Sequence, residues 1–348
     1  MTCRNDRRSR RAGRRRLLLL ALPAALAALT VSAPAKADGC TMTMTGVTFT
    51  SVNPVNNADA FANGTGSVSC SWNLLSATFP YILLFPKVAV CIAAGPGSGS
   101  LSLAPRTLGA APSKLNYNLY TDAGYATVWG NVNGTNPTML RYNLTAPNIL
   151  TGGTLPPVPF TIFGKVASGT ELASFLTASD SSTDLDSTVS GTLRYAFYNL
   201  VAPDACTTGT TVAFSFVVKA TVVNDCKITA TPLAFPQAGV LNAVRTASGS
   251  LSIHCNNGNH WRIALNGGTA GTMAQRKMKH VSNSDVIAYE LSDASGGPIW
   301  GDGSSGTHMV SGVGTGAPQT VTLYGRVPIQ STPRSGDYKD TIMAEIYF

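Results

Sequence analysis

The sequence predicts an all-β protein made of two β-sandwich domains of one type, and three observations support this prediction. Apolar and polar residues alternate in short runs: Val321, Leu323 and Val327 share one face of a predicted strand, and Thr322 and Tyr324 share the other. Only 12% of the residues are charged, and Gly, Asn, Ser and Thr bound the apolar runs, which is typical of strands joined by turns. Finally, one series of landmarks occurs twice in the same order, which indicates a tandem duplication.

The first 37 residues predict a secretory signal peptide. Eight arginines precede the apolar run 17–31, and the small residues Ala35 and Ala37 suit cleavage before Asp38. This apolar run is short for a membrane span, which needs roughly 20 residues. We therefore expect the chain to be exported and the leader to be removed.

Without the leader the chain is electrically neutral. The leader holds nine of the 25 basic residues and one of the 17 acidic residues, so 16 of each remain. A neutral chain carries no excess of cations to neutralise phosphate groups. Nucleic-acid and anionic-membrane partners are therefore not expected.

The duplication also predicts the disulfides of the exported chain. Two cysteine pairs occupy equivalent places in the two copies, with spacings of 30 and 29 residues. Six cysteines in an oxidising compartment are expected to pair, and the remaining two then form the third bridge. The predicted disulfides are Cys40–Cys70, Cys226–Cys255 and Cys91–Cys206.

Other landmarks of the duplication predict structural roles. The matched positions are Arg106 with Arg276, Tyr117 with Tyr289, Trp129 with Trp300, Gly164 with Gly325, and residues 191–197 with 340–346. Because both tryptophans are repeated, we predict that they are packing residues. The basic run 276–280 is predicted to be a solvated loop.

The first domain, expected over residues 38–210, contains three insertions relative to the second. From Cys70 to Leu115 there are 45 steps along the chain, against 32 from Cys255 to Ile287. The second insertion adds residues 139–144 and 149–150, and the third adds residues 172–176. If the first insertion is an exposed hairpin, its apolar residues form an adhesive patch, since exposed apolar patches usually mark interaction sites. The alternative is that residues 81–85 form a core strand, and a core role is favoured for residues 172–176. The candidate adhesive residues are Trp72, Leu74, Leu75, Phe79, Tyr81, Leu83, Leu84 and Phe85.

The second domain is expected over residues 211–348. A polar run at 207–211 marks the boundary. The apolar stretch 212–223 could open the second domain, or it could complete the sheet of the first. The chain ends on a predicted strand, 342–348, whose apolar face carries Ile342, Ala344, Ile346 and Phe348.

Several motifs of the second half closely resemble the spore coat protein U-like domain family. They lie at residues 217–226, 289–293, 299–303, 324–327 and 337–341. The first half resembles the family more thinly, because Asn131 stands where the family has an aspartate and the Tyr-x-Asp-Thr motif is reduced to residues 190–192.

The resemblance implies an immunoglobulin-like sandwich without its last strand, since such domains are the subunits of archaic chaperone-usher pili. A periplasmic chaperone would fill the missing place first, and an extended segment of the next pilin subunit would then replace it, by strand addition to an exposed edge. An outer-membrane usher is the further partner implied. In this chain the groove would be lined by Ile342, Ala344, Ile346 and Phe348.

The start of the exported chain suggests where the subunit would lie in the pilus. Only Asp38 and Gly39 precede Cys40 after cleavage, whereas a donor strand needs roughly ten residues. The chain is expected to receive a strand and to donate none, and its two-domain form resembles a tip adhesin at the cell surface. It would mediate attachment and biofilm formation on a hydrophobic surface or an unknown receptor. The alternative is a structural pilus or coat subunit without a receptor.

An enzymatic role is not expected, and no cofactor is implied. The chain has no G-x-S-x-G elbow, and its histidines lack the H-E-x-x-H spacing of a zinc site. His254, His260, His280 and His308 are interpreted as surface or loop residues. A secreted glycan-active enzyme is a remote alternative, because it would need a pair of carboxylates that the few acidic residues do not provide.

Overall fold

Two β-sandwiches follow one another along the chain in the computed structural model, which describes residues 38–72, 87–131, 138–145, 153–177 and 181–348. The predicted leader, residues 1–37, lies outside the described residues. Within the described ranges the helices are the single turns α1 (Thr170–Ala173) and α2 (Ala205–Thr208), so the predicted all-β class is confirmed. No helix in these ranges is long and apolar enough to span a membrane.

The first sandwich consists of two sheets. One sheet has the order β1 (Gly39–Met44), β3 (Ala60–Trp72), β9 (Val158–Val166), β6 (Ser113–Tyr120) and β5 (Arg106–Ala110), with β8 (Gly153–Thr154) beside β3. The other has the order β2 (Val47–Val52), β11 (Thr210–Val222), β10 (Thr183–Tyr198), β4 (Lys87–Ala94) and β7 (Leu140–Thr145). Most strands of both sheets alternate buried and more exposed residues, whereas β4 is buried after its first residue. The inner faces enclose one core that includes Phe49, Ile92, Ile162 and Leu193.

The second sandwich repeats this arrangement with fewer strands. Its larger sheet has the order β12 (Cys226–Ala230), β13 (Arg245–Cys255), β18 (Gln319–Val327), β16 (Val286–Ser292), β15 (Arg276–His280) and β19 (Tyr338–Lys339). Its smaller sheet has the order β17 (Val310–Val313), β14 (His260–Leu265) and β20 (Ala344–Tyr347). The alternation predicted for residues 321–327 is present in β18, where Thr322 is exposed and Val327 is buried.

All three predicted disulfides are present. Cys40 lies directly opposite Cys70 in the β1–β3 pair, and Cys226 lies directly opposite Cys255 in the equivalent β12–β13 pair. The third bridge, Cys91–Cys206, ties β4 to the helical turn α2. Each bridge therefore joins segments within one sandwich.

Strand β11 belongs to the sheet of the first sandwich. It pairs antiparallel with β10 along its whole length and parallel with β2. Of the two alternatives for residues 212–223, the structure therefore shows the strand that completes the first sheet. The boundary that the sequence predicted at residue 211 falls instead between Val222, which ends β11, and Cys226, which begins β12.

The two sandwiches form one compact unit over residues 37–348, and polar contacts join them. The Asn53 amide donates to the Asp225 carboxylate at 2.7 Å. On the other side of the junction, the Thr177 backbone N–H donates to the Asn257 carbonyl at 3.0 Å, and the Asn257 amide donates to the Ser174 carbonyl at 3.0 Å. The short connection and these bonds hold the domains in contact.

Candidate functional site

An open sheet edge distinguishes the second sandwich from the first. In the first sandwich, strands β2 and β11 lie beyond β10, so both edges of β10 are paired. In the second sandwich, the corresponding strand β20 pairs with β14 on one edge, and among the described residues no strand pairs with its other edge. The second sandwich therefore lacks the equivalents of β2 and β11.

Equivalent tryptophans define the register of the two copies. The Trp129 indole N–H donates to the Ile92 carbonyl at 3.0 Å, and the Trp300 indole N–H donates to the Ile263 carbonyl at 2.8 Å. Both tryptophans are fully buried, as predicted. Ile92 pairs with Leu193 across the sheet, and Ile263 pairs with Ile346.

This register corrects the matching of the last strands. The sequence comparison matched residues 191–197 with 340–346, whereas the structure matches Leu193 with Ile346, and hence Gly191 with Ala344 and Val189 with Ile342. The shift is four residues, an even number that keeps the same face of the strand towards the core. It arises because the connection before the last strand differs in length, so two short alternating segments can be matched in more than one register.

The open edge leaves the second core incompletely covered. In the first sandwich Val47, Phe49 and Leu193 are at most 1% exposed. Val47 and Phe49 follow Cys40 by seven and nine residues, and Leu233 and Phe235 follow Cys226 by the same distances. Leu233, Phe235 and Ile346, the counterpart of Leu193, are only partly buried. The segment that carries Leu233 and Phe235 forms no strand, although β2 does. An apolar groove thus lies between this segment and β20.

Strand β11 fills the corresponding place in the first sandwich. Its alternate residues Phe216, Val218, Ala220 and Val222 are buried in the core, and Val218 and Val222 are fully buried. The residues between them point outwards, as Lys219 does. A strand with this alternation is the type of segment that the groove of the second sandwich could accept.

The residues predicted to line the groove lie at this open edge. Ile342, Ala344 and Ile346 pack partly buried against the second core, on the same face of the chain. Phe348 is 44% exposed beside a cavity that Trp261 and Tyr347 also line. The strand that carries these residues is shorter than predicted, since β20 covers Ala344–Tyr347.

A half-buried polar cluster anchors the start of this last strand. The Tyr289 hydroxyl donates to the Asp340 carboxylate at 2.7 Å, and the Thr269 N–H and hydroxyl donate to its other oxygen. Burial, followed by the bond to Asp340, raises the pKa of Tyr289 well above its usual value, so the phenol stays protonated. The Tyr-x-Asp-Thr motif found in the sequence therefore fixes the position of the strand at the groove.

One buried arginine braces each sandwich. Arg276 donates to the Trp300, Leu265 and Asn266 carbonyls at 2.7 to 3.2 Å, and Arg106 donates to the equivalent Trp129 carbonyl. Burial lowers the pKa of both guanidinium groups, that of Arg106 to about 10, so both remain charged at neutral pH. The prediction that residues 276–280 form a solvated loop is wrong, because they form β15 and Arg276 is 1% exposed.

Several chain segments meet at the end of the first sandwich that points away from the second. Lys87, at the start of β4, pairs with both Tyr198 and Thr145, so the ends of β10 and β7 lie beside it. Trp72, which precedes residues 73–86, pairs with Gly153. We call this the distal end.

The predicted adhesive residues have different outcomes. Leu74, Leu75, Phe79, Tyr81, Leu83, Leu84 and Phe85 lie outside the described residues. Trp72 is 4% exposed at the end of β3, so it adds no exposed area to an adhesive patch. Leu172 and Phe175, in the third insertion, are also buried, in agreement with the favoured core role.

Sequence reasoning missed two exposed apolar residues at the distal end. Leu200 is 77% exposed and Val201 is 83% exposed, in the turn between β10 and α2. The sequence contains a feature that indicates their exposure. Leu200 and Val201 lie close to Pro203, a turn-forming residue, in the short run 199–204 between two predicted strands. Neither residue belongs to the three insertions.

Three of the four histidines lie on strands. His260 is exposed on β14, and His254 and His280 are half-buried on β13 and β15. His308 lies 3.1 Å from the Asp293 carboxylate. Across the described ranges no three His, Cys, Asp or Glu side chains lie close enough to hold a metal ion.

Comparisons with known proteins agree with the duplication. The Spore Coat Protein U domain model matches residues 25–176 and 212–345. Protein U of Myxococcus xanthus is 35% identical over 108 residues, which are 29% of this chain and 59% of that protein. The chain therefore spans about 59% of the length of this curated relative.

Two solved structures are similar over most of the chain. The chaperone–tip adhesion subunit pre-assembly complex CsuC–CsuE from the archaic chaperone-usher Csu pili of Acinetobacter baumannii is 15% identical, with a TM-score of 0.48, and the match covers 89% of this chain and 100% of that chain. The CupB6 tip adhesin from Pseudomonas aeruginosa is 9% identical, with a TM-score of 0.35, covering 89% and 95%.

Proposed function

Because this chain belongs to the Spore Coat Protein U domain family, we propose that it is a non-enzymatic adhesin subunit of a chaperone-usher pilus. It is exported to the cell surface after removal of its leader, and it joins the pilus through its second domain. Its first domain attaches to a hydrophobic surface or receptor and promotes biofilm formation.

The single observation that carries this proposal is the open edge of the second sandwich. The same chain contains a closed sandwich and an open one, and the difference is one strand, β11, with its neighbour β2. An open edge above half-buried apolar residues is an aggregation hazard that proteins normally cover. A periplasmic chaperone and then the donor strand of the next subunit are the occupants we propose, delivered through an outer-membrane usher.

A place at the pilus tip is supported by the closed first sandwich. Its groove already holds β11 of the same chain, so the first domain offers no comparable edge to a second neighbour. The exposed Leu200 and Val201 lie at its distal end, where an adhesive surface would face outwards. A structural pilus or coat subunit would show the same open edge but would not need an apolar distal end.

The proposed role in assembly is tested with the full exported chain and its cognate chaperone. Ile346→Arg places a charge in the groove, where Ile346 is partly buried, and should abolish co-purification with the chaperone and incorporation into pili. Thr322→Arg is the matched control, because Thr322 is exposed on the outer face of β18 in the same domain. If the Ile346→Arg chain assembles as well as the Thr322→Arg chain, the proposed groove is wrong.

A further inference from the structure

Four aromatic rings cluster on the outer face of the first sandwich. Phe61 in β3 is 53% exposed, and its ring centroid lies 4.9 Å from that of Tyr125. Tyr120 and Phe163 lie 5.5 and 6.3 Å from Tyr125 in edge-on arrangements. Aromatic rings normally supply core area, and a cluster of them outside the core marks an interaction surface.

A tight turn holds Tyr125 against Phe61. Tyr125 adopts a φ of 55°, a backbone conformation that residues other than glycine rarely adopt. The Asp122 carboxylate supports it by accepting the N–H groups of Gly124, Ala126 and Thr127 at 3.0, 3.2 and 2.7 Å. Strained residues that are fixed in this way often belong to functional sites.

The charges beside these rings cancel each other. The Lys165 ammonium lies 2.7 Å from the Asp59 carboxylate, whose other oxygen accepts the Ser168 N–H at 2.7 Å. The same ammonium lies 5.7 Å from the Phe61 ring centroid and 6.0 Å from that of Tyr125. This side of the cluster is therefore occupied, and the pair adds no net charge.

A polar cavity of about 290 Å³ borders Phe61. Its lining includes Thr50, Ser51, Asn53, Asn56, Asp59 and Phe61. Within the part of the chain that the structure describes, the side chains of Thr50, Ser51 and Asn56 form no hydrogen bond, so their groups can serve a ligand. The volume is near the lower end of the range for small-molecule sites, roughly 300 to 1,000 Å³.

We propose that this cavity binds a neutral saccharide, with the C–H face of one pyranose ring against Phe61. The weakly positive C–H groups of a sugar ring suit the negative face of an aromatic ring. Hydroxyl and amide side chains both donate and accept hydrogen bonds, as sugar hydroxyls do, and these groups line the same cavity as Phe61. Because Lys165 neutralises Asp59, the pair offers no net positive charge that would hold an anionic sugar.

This site is separate from the distal end. Phe61 and Trp72 are 11 residues apart on strand β3, a distance of roughly 36 Å at about 3.3 Å per residue. A saccharide bound beside Phe61 would therefore not touch the apolar distal segments. The proposal stands without the proposed attachment to hydrophobic surfaces.

The test is saturation-transfer NMR on the full exported chain purified with its chaperone. The probes are the methyl glycosides of β-glucose, β-galactose, β-N-acetylglucosamine and α-mannose, with sorbitol and glucuronate as comparison compounds. At least one glycoside should receive saturation at its ring C–H protons, and sorbitol and glucuronate should receive several-fold less. Phe61→Ala and Asn56→Ala should each reduce the signal at least five-fold, whereas Phe61→Tyr should retain it.

Leu101→Ala is the matched control, because Leu101 is a fully exposed apolar residue of the same domain and lies outside the cavity lining. Its signal should equal that of the unaltered chain. The double variant Leu200→Ser with Val201→Ser should also bind the glycoside normally, which separates this site from the distal end. The proposal is overturned if no glycoside receives saturation, if Phe61→Ala and Asn56→Ala leave the signal unchanged, or if sorbitol performs equally well.

Discussion

At the scale of single residues, the fold stabilises the ionised form of the Asp59 carboxyl group. Its hydrogen bond to the Lys165 ammonium, followed by the bond from the Ser168 N–H, lowers its pKa from 3.8 to about 2. Because the pKa is lowered in the folded chain, the ion pair stabilises the fold above pH about 4. That contribution is lost as the pH falls towards 2.

We predict that Lys165→Gln raises the pKa of Asp59 towards 3.8, because the largest cause of the shift is removed. Lys165→Arg keeps the charge and should leave the pKa near 2. The measurement is an NMR titration of the Asp59 side-chain carbonyl carbon between pH 1.5 and 6. Equal titration curves for the two variants would show that Lys165 does not control this carboxylate.

The buried arginines show where reasoning from single residues fails. The sequence contains the repeated Arg106 and Arg276, but a basic run is usually solvated. Burial of Arg276 becomes possible because three carbonyl groups from two separate segments, residues 265–266 and 300, converge on its guanidinium group. No local pattern contains that information.

At the scale of elements, β11 is the segment that distinguishes the two domains. Its alternation of buried and exposed residues is visible in the sequence, and this predicted a strand. The alternation did not reveal which sheet the strand joins, because both sandwiches present an equivalent edge. Its continuous pairing with β10 over residues 210–222 shows that it belongs to the sheet of the first sandwich.

Since β11 closes the first groove, its sequence should also fit the second. We predict that a peptide of residues 212–222 binds the full exported chain and raises the unfolding temperature of the second domain. It would cover half-buried residues such as Leu233 and Ile346. At a hundred times Kd the gain is about 2.7 kcal/mol, or roughly 10 °C for a domain of this size.

Differential scanning calorimetry measures this shift. The control is the same peptide with Asp in place of Val218, since Val218 is fully buried in the first sandwich and a charge there should prevent insertion. The groove assignment fails if both peptides shift the transition by the same amount.

At the scale of the whole molecule, the distal end, where we propose attachment, lies away from the second domain. Strand ends that are far apart in the sequence, at Trp72, Lys87, Thr145 and Tyr198, lie at one end of the first sandwich. The second domain contacts the opposite end, through residues such as Asn53. The proposed assembly site and the proposed adhesive surface therefore lie in different parts of the molecule.

We predict that the double variant Leu200→Ser with Val201→Ser weakens attachment of piliated cells to plastic several-fold, because it removes exposed apolar area from the distal end. Leu101→Ser is the control, since Leu101 is at least as exposed but lies in a different loop, between β4 and β5. Attachment is measured at equal pilus numbers. Unchanged attachment would argue against Leu200 and Val201 as part of the adhesive surface, and the variants Leu74→Ser, Phe79→Ser, Leu83→Ser and Phe85→Ser then test the adjoining insertion.

The sequence alone determined the all-β class, the duplication and the three disulfides, because alternation and equivalent spacing are local or repeated properties. It also identified the apolar face of Ile342, Ala344 and Ile346. Only the tertiary structure decided that β11 closes the first sandwich while the second stays open, since strand pairing depends on contacts far apart in the chain. The aromatic cluster around Phe61 and Tyr125 is likewise a product of the fold, because its rings come from three strands and a turn that meet only in three dimensions.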